Sequence, residues 1–248
     1  ISLSTVSICI YYNRRMSEKR ERYRRIVAVV CILVALTATI IASGDTWTPR
    51  VVSQMHTDNV TTAESVLNTI AIKGRAPKTG YSRTHYGDGW ATIDGCDTRN
   101  IILHRDMQRV SVDASCHVIS GILNDPYTGR TIQFHRGPDS SGDVQIDHVV
   151  ALSDAWQKGA QNLTRDQRIE LANDPLELLA VDGPANQVKG DGDAATWLPP
   201  NKLFRCEYVA RQIAVKSKYH LWMTQSEHDA IANVLSRCPG QSLPTARD

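Results

Sequence analysis

The spacing of hydrophobic and polar positions changes period several times along the chain, and the changes mark out a mixed set of helices and strands. Residues 61–72 read as a helix, because Thr61-x-x-Glu64 fits a capping box and Val66, Leu67 and Ile70 share one face. Residues 74–89 are loop-like. Three short β-like runs follow, at 101–104, 116–123 and 130–134, the last two separated by the turn-rich Asn124-Asp125-Pro126-Tyr127-Thr128-Gly129. Alternating Val144, Ile146 and Val149 predict a half-buried strand. Thr164-x-x-Gln167 opens a helix that Asn173-Asp174-Pro175 stops, since the residue before proline disfavours helix. Residues 176–181 predict another strand, Asp182-Gly183-Pro184 a turn, and Ala185 onward a short helix. Two longer helices close the chain, one over 201–219 with Phe204, Val209 and Ile213 toward the core. The other, opened by Thr224-x-x-Glu227, has Ile231, Val234 and Leu235 inward. The expected class is α+β, with the three β-like runs forming an antiparallel sheet beside the strand near residue 146.

The strand–strand–helix unit from Val144 to Asp193 concentrates the candidate chemistry. Its first strand delivers Asp147 and His148 side by side, and its helix carries Asn186. A carboxylate and an amide oxygen are hard ligands for one divalent cation, while a free imidazole beside them can take a proton from water. Lys189, three positions after Asn186 and so on the same helical face, is a candidate phosphate contact. Arg105, at the end of the 101–104 run, is a second candidate substrate contact, with a structural ion pair explaining it at least as well. Asp191 and Asp193 lie in a glycine-rich turn and are read as turn formers. Arg205, Arg211, Lys216 and Lys218 form the most basic part of the C-terminal half, either a solvated face or one that contacts phosphates. In the 74–89 loop, Arg83 with Tyr81, His85 and Tyr86 either reaches nucleic acid or packs the loop onto its own domain.

These residues resemble the HNH (His-Me finger, ββα-metal) endonucleases, and specifically the GmrSD-type C-terminal HNH domain of small secreted proteins. The resemblance rests on Asp147-His148, on the Asn173-Asp174-Pro175-Leu176 segment in place of the family's "NL" strand, and on the closing Asn186. It extends from "GYSRTHYGDGW" near Gly80 through "SGILNDPYTGRTIQF" and "KGDGDAATWLPPN" to about Cys238. Two departures are visible: Asn173 and Asp174 precede a proline where the family has Gly-Asn-Leu, and Ala151 stands where a proline usually follows the histidine. The resemblance implies a ββα-metal core with flanking helices over residues 80–240. It also implies a divalent metal, Mg²⁺ or alternatively Mn²⁺, on Asp147 and Asn186, with His148 as general base and Asn173 or Asp174 as the structural residue near the site. The implied substrate is nucleic acid, DNA before RNA. The alternative is a secreted binding module of the same fold that holds nucleic acid or an envelope polymer without cutting it. No feature points to a protein partner.

Charge and cysteine usage refine this picture. The chain is formally +2, yet seven of its 28 basic and two of its 26 acidic residues precede residue 45, leaving 21 basic against 24 acidic and a net of −3. This balance weighs against broad phosphate neutralisation, which leaves a metal with a few local cations to supply the anion attraction. "KRERYRR" at 19–25, the apolar run 26–42 and the following "SGD" have the three-part plan of an export signal over residues 1–44. At 17 residues the run also meets the lower limit of about 17 for a membrane span, so an uncleaved anchor facing outward stays open. Met16, directly before the basic run, is a candidate start. Residues 45–79 read as a linker and the first helix. Beyond the signal lie four cysteines with no C-x-x-C among them, which fits disulfides in an exported chain better than a zinc site. Pairing Cys96 with Cys116 and Cys206 with Cys238 closes the shortest loops.

Overall fold

The computed structural model describes residues 20–23 and 62–245. The chain divides into two units, 1–58 and 59–248, and within the first, residues 20–23 form a helical turn. The export-signal readings over 26–44 and Met16 lie outside the described residues. Among the described residues no helix is long and apolar enough to cross a membrane.

The second unit opens with α1 (Ala63–Leu67), followed by a 3₁₀ turn over 83–86 and a small ribbon of β1 (Thr92–Ile93) and β2 (Cys96–Asp97). The cap of α1 is Thr62, whose side chain accepts from Ser65 N at 3.2 Å, one residue after the Thr61 cap expected from sequence, and the Ser65 hydroxyl donates to the Thr62 carbonyl in place of a box. The helix also stops short of residue 72, where Ile72 leaves to bridge Met223. Next come α2 (Thr98–Asp106), β3 (Met107–Val112), β4 (Val118–Asn124) and β5 (Thr131–His135). The 101–104 run is thus helix and not strand. Asp97 caps it by accepting from Asn100 N at 2.8 Å, and Ile102 and Leu103 bury against the sheets on one side of it. The expected three-stranded antiparallel sheet exists, but its members are β3, β4 and β5 in that order, and it is hydrogen-bonded separately from the site strands.

Those site strands, β6 (Val144–His148) and β7 (Leu178–Asp182), make their own two-stranded antiparallel sheet, with His148 opposite Leu178 and Val144 opposite Asp182. Between them are α3 (Leu152–Gln157), which the sequence reading missed, and α4 (Arg165–Asn173), whose capping box of Thr164 and Gln167 is present on both sides. After β7, α5 (Gly183–Lys189) starts at once: Asp182 accepts from Ala185 N at 2.8 Å and Pro184 sits in the first turn. Gly183 is required here, because a Cβ would lie 2.0 Å from the Gly142 carbonyl oxygen. The long α6 (Arg205–Lys218) and α7 (Gln225–Leu235) complete an α+β fold.

Two side chains on α2 do the work of a further strand beside β7. Asp106 Oδ2 accepts from Ala180 N at 2.8 Å, and Arg105 donates to the carbonyls of Leu178 and Pro175, both at 2.7 Å. The open edge of β7 is thereby satisfied, where unpaired strand groups would otherwise cost stability. Two disulfides, Cys96–Cys116 and Cys206–Cys238, join α2's ribbon to the β3–β4 turn and α6 to the end of α7. Loops of 20 and 32 residues make each worth about 2–4 kcal/mol.

Beneath α3, α6 and α7 lies a buried ionic cluster. The Lys158 ammonium, with no exposed surface, contacts Asp154 and Asp193 at 2.7 Å and Glu227 at 2.6 Å. Lys216 adds Glu227 at 2.9 Å, and Arg75 adds Asp154 and Asp193 at 2.7 Å each. Three cations thus face three carboxylates. Asp193 is accordingly more than a turn former, and Lys216 cannot meet a phosphate. Arg211 has no exposed side-chain surface either, Lys218 pairs with Asp174 at 2.7 Å and Arg205 donates from Nε to Pro199 O at 2.7 Å, so each of the four cations considered from sequence has an internal partner.

Candidate functional site

Alternation along β6 separates the two leading candidates. Successive strand side chains point to opposite faces, so Gln145 and Asp147 share one face while Val144, Ile146 and His148 share the other. Val144 and Ile146 pack with Leu178, Ala180, Ile102 and Phe134 in one apolar cluster, and His148 continues that face toward Trp90. Asp147 turns the other way, toward α5 and Tyr127.

The His148 imidazole forms part of the wall of a cavity of about 490 Å³, together with Arg83, Trp90, Leu152, Ala172 and Asn173 among others. The Trp90 ring stacks on it with centroids 5.6 Å apart and planes within 4°. Its Nε2 lies 2.9 Å from the Ala172 carbonyl oxygen. A carbonyl can only accept, so Nε2 carries the proton, and Nδ1 of the neutral ring keeps its lone pair. Burial pushes the ring's pKa down from its ordinary value to about 3. The Ala172 bond opposes this, while the charges of Arg83 and Lys189 add to it. The cavity therefore holds a neutral imidazole with a fixed tautomer, the form a general base needs.

On the helix side, Lys189 Nζ sits 2.8 Å from the Asp147 carboxylate and 2.6 Å from the His148 carbonyl oxygen, and the Tyr127 hydroxyl donates to Asp147 Oδ2. Burial raises the Asp147 pKa, against the lowering effect of Lys189 and Tyr127. Asn186, a turn earlier on α5, donates from Nδ2 to Gln145 Oε1 at 3.0 Å. α5 thus meets the same face of β6 twice, Asn186 against Gln145 and Lys189 against Asp147. Lys189, only 3% exposed, is an internal counter-ion and not the phosphate contact expected of it. Arg105 corrects in the same way: bound to Asp106, Pro175 and Leu178, it braces β7.

The structural residues near the site divide their roles. Asn173 lines the His148 cavity and accepts from Ala91 N at 2.8 Å, tying the Trp90 segment to α4. Asp174 is buried under Lys218 and Tyr219 and shapes the turn into β7 by accepting from Leu176 N. The residue that braces the end of the histidine strand is Glu177. Fully buried, it accepts through Oε2 from Val150 N at 3.1 Å, two residues beyond His148, and its Oε1 has no hydrogen-bond partner. Burial raises its pKa well above the usual carboxylate range. Sequence reasoning passed over it, although a lone glutamate inside the apolar run 176–181 was a usable signal.

The helix-side oxygens fit a hard cation. The Asp147 carboxylate and the His148 carbonyl already surround one, the Lys189 ammonium, and the Asn186 amide stands on the same face. A divalent ion on Asp147 would require Lys189 to withdraw.

Comparison with known proteins bears on this geometry. The family model for GmrSD restriction endonucleases, C-terminal domain, matches residues 97–234, which include β6, β7 and α5. A protein of Arthroderma benhamiae described as an "Uncharacterized secreted protein" is 40% identical over 183 residues, covering 73% of this chain and 86% of the relative. No solved structure matches.

Proposed function

The chain belongs to the family of the GmrSD restriction endonuclease C-terminal domain, a nuclease-related family, and from that premise we propose that it is a secreted, metal-dependent endonuclease. Its substrate in this reading is nucleic acid, DNA before RNA, and the reaction is hydrolysis of the phosphodiester bond. The observation that carries the reading is His148: a buried, neutral imidazole with its Nε2 proton held by Ala172 O, in the wall of a cavity of about 490 Å³.

In this reading Nδ1 takes the proton of a water that attacks phosphorus, and the P–O3′ bond breaks, the 3′-oxygen leaving with the bonding pair and taking a proton from solvent. The hydrogen bond to Ala172 and the stacked Trp90 hold the ring so that the lone pair does not rotate away. An isolated base with a pKa near 3 is weak. A phosphodiester anion in the cavity raises its proton affinity by direct charge attraction, so the base strengthens when substrate is present. Mg²⁺ or Mn²⁺ would supply Lewis-acid stabilisation of charge on the phosphate, yet Asp147 and Asn186, the residues expected to hold it, face α5 on the other side of β6 from the His148 cavity. Lys189 competes for the same carboxylate, and Glu177 keeps the strand end in register through Val150 N.

The competing reading, a binder that does not cut, draws support from the satisfied Asp147–Lys189 pair. A nicking assay separates them: supercoiled plasmid and a labelled RNA are incubated with the protein in Mg²⁺, Mn²⁺ or EDTA, beside His148→Ala. Cleavage that needs metal and falls by about 10² to 10⁴ in the variant supports the nuclease. Binding of both polymers without cleavage in any metal would leave only the binder.

A further inference from the structure

The loop ahead of the site carries a cation whose guanidinium has no hydrogen-bond or ion-pair partner among the described residues. On either side of Arg83 the loop is fastened down. The Tyr86 hydroxyl donates to Leu152 O at 2.9 Å, His85 stacks on Trp156 with centroids 5.0 Å apart, and Arg168 Nε donates to His85 O at 3.2 Å. Ser82 caps the 3₁₀ turn by accepting from Thr84 N. The aromatic members of the loop therefore pack it onto α3 and α4. Arg83 itself is exposed, lines the His148 cavity, and among the described residues its guanidinium makes no hydrogen bond or ion pair. Asp88, the carboxylate among the lining residues, stands 3.6 Å from Arg165.

Elimination points the same way. The segment beyond residue 44 is net acidic, so anion attraction must be local. Lys189, Arg105, Lys216 and Lys218 are each held by internal partners, and Arg211 has no exposed side-chain surface. We infer that Arg83 is the phosphate-binding residue of the His148 cavity, its guanidinium gripping the non-bridging oxygens of a nucleic-acid phosphodiester so that phosphorus faces the imidazole. This rests on the nuclease reading for the identity of the ligand. The planar fork of arginine suits two phosphate oxygens at once, and the fixed turn removes backbone freedom that binding would otherwise have to freeze.

The test uses the full-length secreted chain with Arg83→Gln and Arg83→Lys. Steady-state cleavage is measured between 50 and 200 mM salt, and binding of a labelled 12-nucleotide strand is followed by anisotropy in a His148→Ala background. Arg83→Gln is expected to lower kcat/KM about 10- to 100-fold, the range for one charge-assisted contact. It should also flatten the dependence of log affinity on log salt by about 0.7 for a single strand. Arg83→Lys should recover part of the affinity, and melting temperatures should move little, because the guanidinium makes no hydrogen bond or ion pair among the described residues. Unchanged kinetics and an unchanged salt slope in Arg83→Gln would overturn the assignment. Should the wild type cut neither DNA nor RNA, the nuclease reading fails by itself and the anisotropy arm decides alone. Arg83-dependent binding of the strand then sustains the phosphate site, and Arg83-independent or absent binding rejects it.

Discussion

The most direct consequence of the site's geometry is a stability that erodes in mild acid through one histidine. His148 is 7% exposed and its pKa is held near 3, against 6.5 for a free imidazole. Above 6.5 the ring is neutral in both folded and unfolded chains and contributes no pH dependence. Below 6.5 the unfolded chain takes up a proton that the fold refuses, so stability falls as pH falls, at about 1.36 kcal/mol per unit, until the folded pKa is reached. At pH 4.5 the accumulated loss is about 2.7 kcal/mol, and the full span to pH 3 is worth about 4.8 kcal/mol. Carboxylates titrate in the same window, so the comparison must be differential. His148→Gln retains a donor for Ala172 O but cannot ionise. Urea unfolding of both proteins at half-unit steps from pH 7 to 4 isolates the histidine, because any fixed cost of the substitution is the same at every pH. The variant should gain on the wild type by about 1.36 kcal/mol per unit below 6.5. A flat difference would show that the ring is protonated or solvated in the native protein, and the account of a neutral base in a closed wall would fail with it. The same shift places the acid limb of kcat/KM for the free enzyme below the ordinary histidine range.

Three other outcomes follow from the buried polar groups. Glu177→Gln keeps the acceptor for Val150 N and removes a carboxyl that burial holds protonated. The wild type should match the variant near pH 4 and lose ground above the ordinary glutamate pKa by about 1.36 kcal/mol per unit until the raised folded value is reached; a pH-independent difference in urea melts would rule this out. Lys158→Met leaves Asp154, Asp193 and Glu227 short of their shared cation and should cost about 3–5 kcal/mol by denaturant unfolding; a loss below about 1 kcal/mol would mean the cluster is solvated in solution. Lys189→Met removes the ammonium from Asp147, and millimolar Mg²⁺ or Mn²⁺ should then raise the melting temperature of the variant more than that of the wild type. Equal shifts in the two would argue that Asp147 holds no metal.

Much of the site's frame was legible because its signals are local. Strand alternation at Val144 and Ile146, proline in the first turn of α5, the cap box at Thr164 and the cap at Thr224 each act within four residues, and each appears in the fold, although Glu227 gives its carboxylate to Lys158 and Lys216 instead of completing a box. The disulfide pairs followed from loop length. Misreadings arose where local signals were ambiguous or silent. Ile101, Ile102 and Leu103 are three apolar residues in a row, which serve a strand or a helix equally, and the deciding cap at Asp97 went unread. β3 (Met107–Val112) buries only Met107, so it has no inward face to betray it. The fates of Lys189 and Arg105 depend on partners 42 and 70 or more residues away, and no spacing rule reaches that far.

Lys189 also ties together the two faces that β6 separates. Its ammonium binds the Asp147 carboxylate on the helix side and, at 2.6 Å, the carbonyl oxygen of His148 itself. On the other side of the strand, Nε2 of the same histidine is held by Ala172, and two residues later Val150 N is held by Glu177. The backbone at His148 is thus fixed from α5, from the end of α4 and from the turn into β7, by a cation, a carbonyl and a neutral acid. All three lie where water does not compete, which makes each bond stronger and each loss costlier. A base whose position is set this closely needs little reorganisation to act. By the same reasoning, a change at Asp147 or Lys189 reaches the imidazole through the strand that carries it, even though neither side chain shares its cavity.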